Sequence, residues 1–138
     1  MAPLPNSPKK LSLGSLEAEI LGILWQLGSA TARQIHDQIL ADPDRELAYA
    51  SVTTVLNRLT QKGWLKRHKR QRAFVWEPLV SQRDAQVLQA YRQLKQLLAI
   101  GNPDIVAAFA DELDSDSIER LDAIAQRLNA IRQARKES

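Results

Sequence analysis

Apolar residues follow a helical period and then a strand-like period in the stretch from Leu47 to Pro78. From Ala50 to Lys62 they lie at i, i+3, i+4 and i+7, which predicts a helix with one buried face. Gly63 then ends the helix, as a glycine can by adopting a positive φ. Beyond it, the runs Trp64 to Lys69 and Ala73 to Glu77 predict a β-hairpin joined at Arg70-Gln71-Arg72, whose turn type stays open. The residues of the buried helix face are Val52, Val55, Leu56 and Leu59.

The helical period also predicts helices on both sides of this stretch. One runs from Leu16 to Leu27, and a second opens at the Thr31 capping box and ends near Leu40. After the hairpin, a helix capped by Ser81 reaches about Ala99, and Asn102-Pro103-Asp104 gives a strong start signal for the next. Asp114 caps the last helix. The apolar stripe of the first helix is expected at Ile20, Ile23, Leu24 and Leu27.

This order of elements predicts a mainly α fold with a small β wing. Three short helices followed by a two-stranded hairpin are typical of a winged helix-turn-helix, in which the third helix enters the major groove. We therefore expect a flexible arm over residues 1–12, a winged helix-turn-helix DNA-binding domain over 13–80, and a helical dimerisation domain over 81–138.

The C-terminal helices lack a large core of their own, so their apolar stripes need a partner. A symmetric homodimer with intertwined helices would provide one and would match a dyad DNA site, whereas a compact monomer with the helices folded back is the alternative. The side chains expected in the dimer interface are Leu94, Leu98, Ile105, Val106, Phe109, Ile118, Leu121, Ile124, Leu128 and Ile131.

Charge in the third helix and the hairpin is one-sided. No Asp or Glu lies between Leu47 and Trp76, while basic residues, Lys62 among them, are frequent. Because surface charges usually alternate in sign, this excess favours a polyanion as partner, and the small or hydrogen-bonding side chains opposite the core suit base edges. The expected DNA-binding residues are Ala50, Ser51, Thr53, Thr54, Asn57, Arg58 and Gln61 on the helix, and Lys66, Arg67, His68, Lys69, Arg70 and Arg72 on the hairpin.

The composition of the chain argues against a membrane protein, a metal-binding protein and an enzyme. The 138 residues suit one domain, or one small domain with a helical appendage, and the absence of Cys and of long apolar runs favours a cytoplasmic protein with no direct membrane binding. Two isolated histidines, His36 and His68, do not predict a metal site, and no cofactor is expected. Because Glu17 and Glu19 are explained by capping and solvation at a helix end, and no nucleophile lies near a His, we do not expect an enzyme.

The chain resembles the penicillinase-repressor family, the BlaI/MecI/CopY repressors. The matching segments are SLEAEILGILWQLGSATARQI and LAYASVTTVLNRLTQKGWLKRHKRQRAFVWEPLVS, and the tail DIVAAFADELDSDSIERLDAI is similar to the family's dimerisation region. The resemblance covers roughly Leu13 to Leu128, and the end of the third helix with its KGWL sequence is the most specific part.

The resemblance implies a homodimeric transcriptional repressor that binds palindromic promoter operators, often of TACA/TGTA type. It also implies release, in several members, through cleavage of the dimerisation domain by a membrane metalloprotease encoded nearby, before a Phe in a segment like VLNF. The matching bond here is Ala108-Phe109, with Ala108 in place of the Asn. Members that respond to copper use C-terminal cysteines, so without Cys only an indirect copper response, through a partner protease, is open.

Two other functions for a winged helix stay open at this point. A ligand-sensing regulator of the multidrug-resistance (MarR-like) type also joins a winged helix to a helical dimer, but no convergent polar cluster near Trp76, Tyr91 or Phe109 predicts a ligand pocket. An adaptor that binds only proteins would not need a basic wing. The uncompensated charge of the hairpin therefore favours a DNA-binding repressor.

Overall fold

The structure, a computed structural model, describes residues 8–137. Within them the chain forms six helices and a two-stranded antiparallel hairpin, so the predicted mainly α fold with a β wing is confirmed. The elements are α1 (Ser15–Leu27), α2 (Ala32–Leu40), α3 (Tyr49–Lys62), β1 (Leu65–Arg70), β2 (Ala73–Pro78), α4 (Gln82–Ile100), α5 (Pro103–Ala110) and α6 (Ser115–Glu137).

The chain divides into two compact units, with the boundary between Leu97 and Leu98. The first unit contains the hydrophobic core, in which α1, α2 and α3 pack together with the base of the hairpin and the beginning of α4. Trp64 is fully buried between α3 and β1. Leu27 is a correction to the sequence prediction, because it is 47% exposed at the end of α1, whereas Leu21 is buried in its place. The assignment of functions to residues 13–80 and 81–138 stays a prediction.

Sequence signals at the helix ends hold in the structure. Thr31 caps α2, since its hydroxyl accepts a hydrogen bond from the Gln34 N–H while the Gln34 carboxamide oxygen accepts one from the Thr31 N–H. Gly63 ends α3 with a φ of 92°. A Cβ at this position would also lie 3.2 Å from the backbone of Pro8 and Lys9, so glycine is needed both for its conformation and for the close approach of the N-terminal segment.

The hairpin turn is shorter than the sequence suggested. Arg70 pairs with Ala73 as the last residue of β1, and the turn consists only of Gln71 and Arg72, with φ values of 53° and 106°. Two consecutive positive φ angles are typical of a type I′ turn, which matches the twist of the flanking strands. A two-residue turn also sets the register of the whole hairpin, which places Lys66 opposite Glu77.

The predicted flexible arm, residues 1–12, is described only from Pro8 onward, and its first seven residues lie outside the described part. Residues 8–12 form hydrogen bonds with other residues of the first unit, and the flexible arm over residues 1–12 stays a prediction. The Lys9 N–H donates to Lys62 O at 2.8 Å, Trp64 Nε1 donates to Lys10 O at 3.0 Å, and Gln89 Nε2 donates to Leu11 O at 2.6 Å. These bonds join backbone groups of the segment to α3, to Trp64 and to α4.

The second unit exposes the apolar side of its helices. No residue of α5 or α6 is buried, and the ten side chains predicted for a dimer interface, one of which (Leu94) belongs to the first unit, are between 39% and 63% exposed. Large apolar side chains that are half exposed on regular helices indicate surfaces that a partner can cover. Across the described part of the chain, none of the helices combines the length and hydropathy that crossing a membrane requires.

Candidate nucleic-acid interface

The outer face of α3 carries the polar side chains that the sequence assigned to base contacts. Its core residues Val52, Val55, Leu56 and Leu59 are buried, so the opposite face must point away from the protein. The exposed predicted residues are Ala50, Thr54, Asn57, Arg58 and Gln61, whereas Ser51 and Thr53 are only half exposed. The backbone and the short side chains of this face can therefore approach a base edge closely.

The two adjacent threonines differ in what they offer to a ligand. The Thr53 hydroxyl donates to Ala50 O at 2.9 Å, so its proton is already used within the helix. Thr54 is exposed, and its hydroxyl has no bond of this kind within the described residues. Of the two, Thr54 has the hydroxyl that is free both to donate and to accept.

The wing is the β1–β2 hairpin, and some of its basic side chains lie beside α3. Lys66 and Arg67 line an open cleft with Asn57 and Gln61 of α3. The Arg67 guanidinium lies 4.2 Å from the centre of the Phe74 ring, a stacking geometry that orients the side chain while leaving its N–H groups able to donate. Lys69, Arg70 and Arg72 are exposed at the far end of the hairpin, and His68 is half buried opposite Val75.

The wing is less uniformly basic than the sequence implied. Lys66 Nζ lies 2.8 Å from the carboxylate of Glu77, its cross-strand neighbour. The hydrogen bond from Lys66, together with the nearby charges of His68 and Arg70, lowers the pKa of Glu77 below its ordinary value. Glu77 is therefore ionised at neutral pH and compensates the charge of Lys66. The uncompensated charge of the wing is concentrated toward its tip.

The charge of Lys62 is compensated within the protein, although the sequence counted this residue in the basic excess. Its ammonium lies 2.7 Å from Glu17 Oε2 and also donates to Ser12 O at 2.9 Å, and both side chains of the pair are largely buried. Burial alone would raise the pKa of Glu17, but hydrogen bonds from Lys62 and from the Gly14 N–H, with the positive charges of Lys62 and Arg58, lower it. This pair ties the end of α3 to the beginning of α1.

The assignment of Glu17 and Glu19 to capping and solvation therefore needs correction. Glu17 does accept from the Gly14 N–H at 3.0 Å, as a residue of the first helical turn can, but it also forms the buried pair with Lys62. Glu19 receives two hydrogen bonds from Arg45, at 2.7 and 2.9 Å. This bidentate pair holds the connection between α2 and α3 against α1, and so helps to orient α3.

Two side chains near the interface were missed by the sequence analysis. Arg33 and Tyr49 line an open cleft of about 440 Å³ together with Thr53, Arg72 and Phe74. Arg33 is exposed in the first turn of α2, where acidic residues are usually preferred because of the helix dipole. This departure from the usual preference was visible in the sequence and is the signal by which Arg33 could have been noticed.

The remaining predicted residues lie in the second unit or away from α3. Ala108 and Phe109, the predicted cleavage position, are consecutive residues of α5 and are exposed. The His36 ring is 2.7 Å from Leu47 O and packs edge-on against Tyr49, so its surroundings explain it without a ligand. Among residues 8–137, no group of His, Cys, Asp or Glu has an arrangement that could hold a metal ion.

Comparison with known proteins identifies a family that the sequence of this chain matches. The penicillinase repressor profile matches residues 13–127. The methicillin resistance regulatory protein MecI of Mammaliicoccus sciuri is 26% identical over 115 residues, which cover 82% of this chain and 92% of MecI. An uncharacterised 16.5 kDa protein of Latilactobacillus sakei is 28% identical over 96 residues, or 70% of this chain and 64% of that protein, slightly under two thirds of its length.

A solved structure is also similar to part of this chain. The DNA-binding domain of the repressor BlaI is similar with 26% identity and a TM-score of 0.47, and the match covers 55% of this chain and 92% of that domain. The match to the family profile extends over most of the chain and confirms the resemblance seen in the sequence. The chain therefore belongs to the penicillinase repressor family, a family of DNA-binding transcriptional repressors and not of enzymes.

Proposed function

We propose that this protein is a homodimeric transcriptional repressor that reads palindromic promoter operators with α3 and holds the DNA backbone with its wing. The observation that supports the proposal is the outer face of α3, where Thr54, Asn57, Arg58 and Gln61 are exposed and where Asn57 and Gln61 line a cleft with Lys66 and Arg67 of the basic wing. Hydrogen-bonding side chains on a protruding helix suit base edges, and the flanking cations suit phosphates. The family membership supports the same function.

Titration of the purified protein with the DNA upstream of its own gene, against a scrambled duplex, tests this function. At two salt concentrations the upstream duplex should bind more tightly, and both affinities should fall steeply with salt because phosphate contacts release counterions. Equal affinity for the two duplexes would leave a non-specific DNA binder. No binding to either would contradict the proposal and favour the protein-binding adaptor.

Thr54 and Arg70 should separate base reading from phosphate binding. We predict that Thr54→Ala lowers affinity for the upstream duplex by roughly 5- to 10-fold, about 1 kcal/mol, with little effect on the scrambled duplex. Arg70→Ala should weaken both duplexes by the same factor and reduce the salt slope by about 0.9 for each phosphate that the variant no longer neutralises. Fluorescence anisotropy with both duplexes measures these effects.

Thr60→Ala is the matched control for the threonine. Thr60 lines the cleft between α3 and the wing, but its hydroxyl already donates to Leu56 O at 2.8 Å and the residue is half buried, so loss of this hydroxyl should not alter base discrimination. For each variant, the loss of affinity for the upstream duplex is compared with the loss for the scrambled duplex. If this comparison gave the same result for Thr54→Ala and Arg70→Ala, the division of roles between helix and wing would be wrong.

The exposed apolar stripe of the second unit supports a second copy of the chain as its partner. Ile118, Leu121, Ile124 and Leu128 recur at three and four residues along α6 and are each more than half exposed. A stripe of this length on an otherwise charged helix is self-complementary under a two-fold axis, and a two-fold dimer would present two copies of α3 to a palindromic site.

The charges of α6 also suit self-association. Acidic residues dominate its first half and basic residues its second, so two copies in antiparallel orientation would place opposite charges beside each other. The acidic group consists of Asp116, Glu119 and Asp122, and the basic group of Arg127, Arg132, Arg135 and Lys136. Like charges would face each other in a parallel pair, which disfavours that arrangement.

We also propose that the repressor is released by cleavage of the Ala108-Phe109 bond by a membrane metalloprotease. Proteases act on extended chain, so α5 must unwind first. It is eight residues long, has no buried side chain, and is capped by Asn102 Oδ1, which accepts from the Asp104 N–H at 3.0 Å. A short helix without buried contacts opens locally at low cost.

Cleavage should therefore depend on the stability of α5. Asn102→Ala removes the cap at a cost of about 1 kcal/mol, which predicts roughly 5-fold faster cleavage where opening is in fast equilibrium. The measurement is intact-mass spectrometry of the protein co-expressed with the neighbouring metalloprotease, and the expected fragment ends at Ala108. Cleavage at another bond, or an unchanged rate in Asn102→Ala, would contradict the proposal.

A further inference from the structure

The N-terminal segment from Pro8 to Ser12 is positioned beside the end of α3 before any ligand binds. Pro8 is buried and packs close to Gly63, the Lys9 N–H donates to Lys62 O at 2.8 Å, and Lys10 O accepts from Trp64 Nε1 at 3.0 Å. These contacts use backbone groups. The side chains of Lys9 and Lys10 are left exposed to solvent.

Lys9 and Lys10 extend the basic surface of α3 on the side away from the wing. Together with Arg58, Gln61 and Lys62 they line an open cleft of about 310 Å³. Neither lysine forms an ion pair within residues 8–137. The carboxylate of Glu17 is buried and paired with Lys62, so it does not cancel the charge of the two lysines.

Gln61 is shared by two clefts that each contain basic side chains. Gln61 lines the cleft that contains Lys9, Lys10 and Arg58, and it also lines the cleft that contains Lys66 and Arg67 of the wing. A helix inserted in a major groove has a phosphate backbone on each side of it. The wing supplies cations for one of these backbones, and the N-terminal segment supplies them for the other.

We propose that Lys9 and Lys10 form a second phosphate-binding border of the DNA interface, opposite the wing. This inference rests on the proposed DNA-binding function and adds residues that the helix-turn-helix and wing do not include. Because the segment is already hydrogen-bonded in place, binding does not have to order its backbone, and each phosphate contact retains more of its electrostatic free energy.

The test is the double variant Lys9→Gln/Lys10→Gln in the full chain, titrated with the upstream and scrambled duplexes over a series of salt concentrations. Glutamine keeps the backbone bonds of both residues, so thermal unfolding should be unchanged. We expect affinity for both duplexes to fall by the same factor. The slope of log affinity against log salt should decrease by about 0.9 for each phosphate left without its lysine, or up to about 1.8 per chain.

A matched control removes two positive charges from elsewhere in the first unit. Arg83→Gln/Lys95→Gln changes the net charge equally at two exposed positions of α4 that line none of the clefts beside α3. If the two double variants shift the salt slope equally, the effect is one of net charge and the second border is wrong. If the parent protein binds DNA and the Lys9/Lys10 variant retains its slope, only this inference fails; if the parent does not bind, the proposed function fails with it.

Discussion

Lys62→Met is expected to lower the free energy of unfolding by about 3 kcal/mol, because it leaves the buried carboxylate of Glu17 without its partner. The methionine fills a similar volume, so the destabilisation comes from charge and not from a cavity. The Lys62 ammonium also bonds Ser12 O, so the attachment of the N-terminal segment should loosen as well. Urea unfolding at pH 7 measures the change.

The pH dependence identifies the cause. In the parent protein the pKa of Glu17 is below its ordinary value of 4.5, so the pair contributes stability above that pH and the contribution is lost as pH falls through the lowered pKa. In Lys62→Met the unpaired buried carboxyl should have a raised pKa instead, so protonation relieves the penalty and the gap between variant and parent should narrow toward pH 4.

The double variant Glu17→Gln/Lys62→Met completes a mutant cycle for this pair. It should be more stable at pH 7 than Lys62→Met alone, since no uncompensated charge stays buried. Strictly additive changes in stability, or a gap between Lys62→Met and the parent that does not depend on pH, would show that Glu17 and Lys62 are not coupled.

In the proposed dimer, Leu121→Asp should separate the two copies and reduce affinity for the upstream duplex by about 100-fold or more. Leu121 is 52% exposed near the middle of the stripe on α6, where a carboxylate in each copy would be desolvated beside the other. A monomer engages only one half-site and forgoes the gain of bivalent binding. Sedimentation velocity and DNA titration measure the two effects.

Ala130→Asp is the matched control for the dimer. It introduces the same charge on the same helix, but nearly opposite the stripe by helical period. It should therefore leave the assembly and the affinity close to those of the parent. A dimeric Leu121→Asp variant, or two variants that behave alike, would show that the stripe on α6 is not the interface.

Local patterns predicted the elements well, because their causes lie within a few residues of one another. The buried face of α3, the Thr31 cap and the end of the helix at Gly63 all follow from spacing and from intrinsic backbone preference. The polar outer face of α3 could also be predicted, because the exposed face of a helix lies opposite its buried face. The roles of its individual residues in DNA recognition stay predictions.

Contacts between distant positions were not predictable in the same way. Glu17 and Lys62 are 45 positions apart, and neither has a local feature that distinguishes a buried pair from two solvated charges. The attachment of Pro8 to Ser12 depends on backbone groups, which carry no side-chain signal. The pair between Lys66 and Glu77 depends on the hairpin register. That register could be predicted only if the two-residue length of the turn were known.

A hydroxyl-radical footprint of the protein on its own upstream DNA tests whether a dimer of this chain reads a palindromic operator. A dimer with one α3 per half-site predicts two protected segments related by a palindrome, with centres about one helical turn, roughly 10 base pairs, or a multiple of it apart. Protection of the backbone sugars in each segment should weaken when Lys9 and Lys10, or the basic residues of the wing tip, are replaced. A single protected segment, or protection spread evenly along the duplex, would contradict a dimeric reader of a palindromic operator.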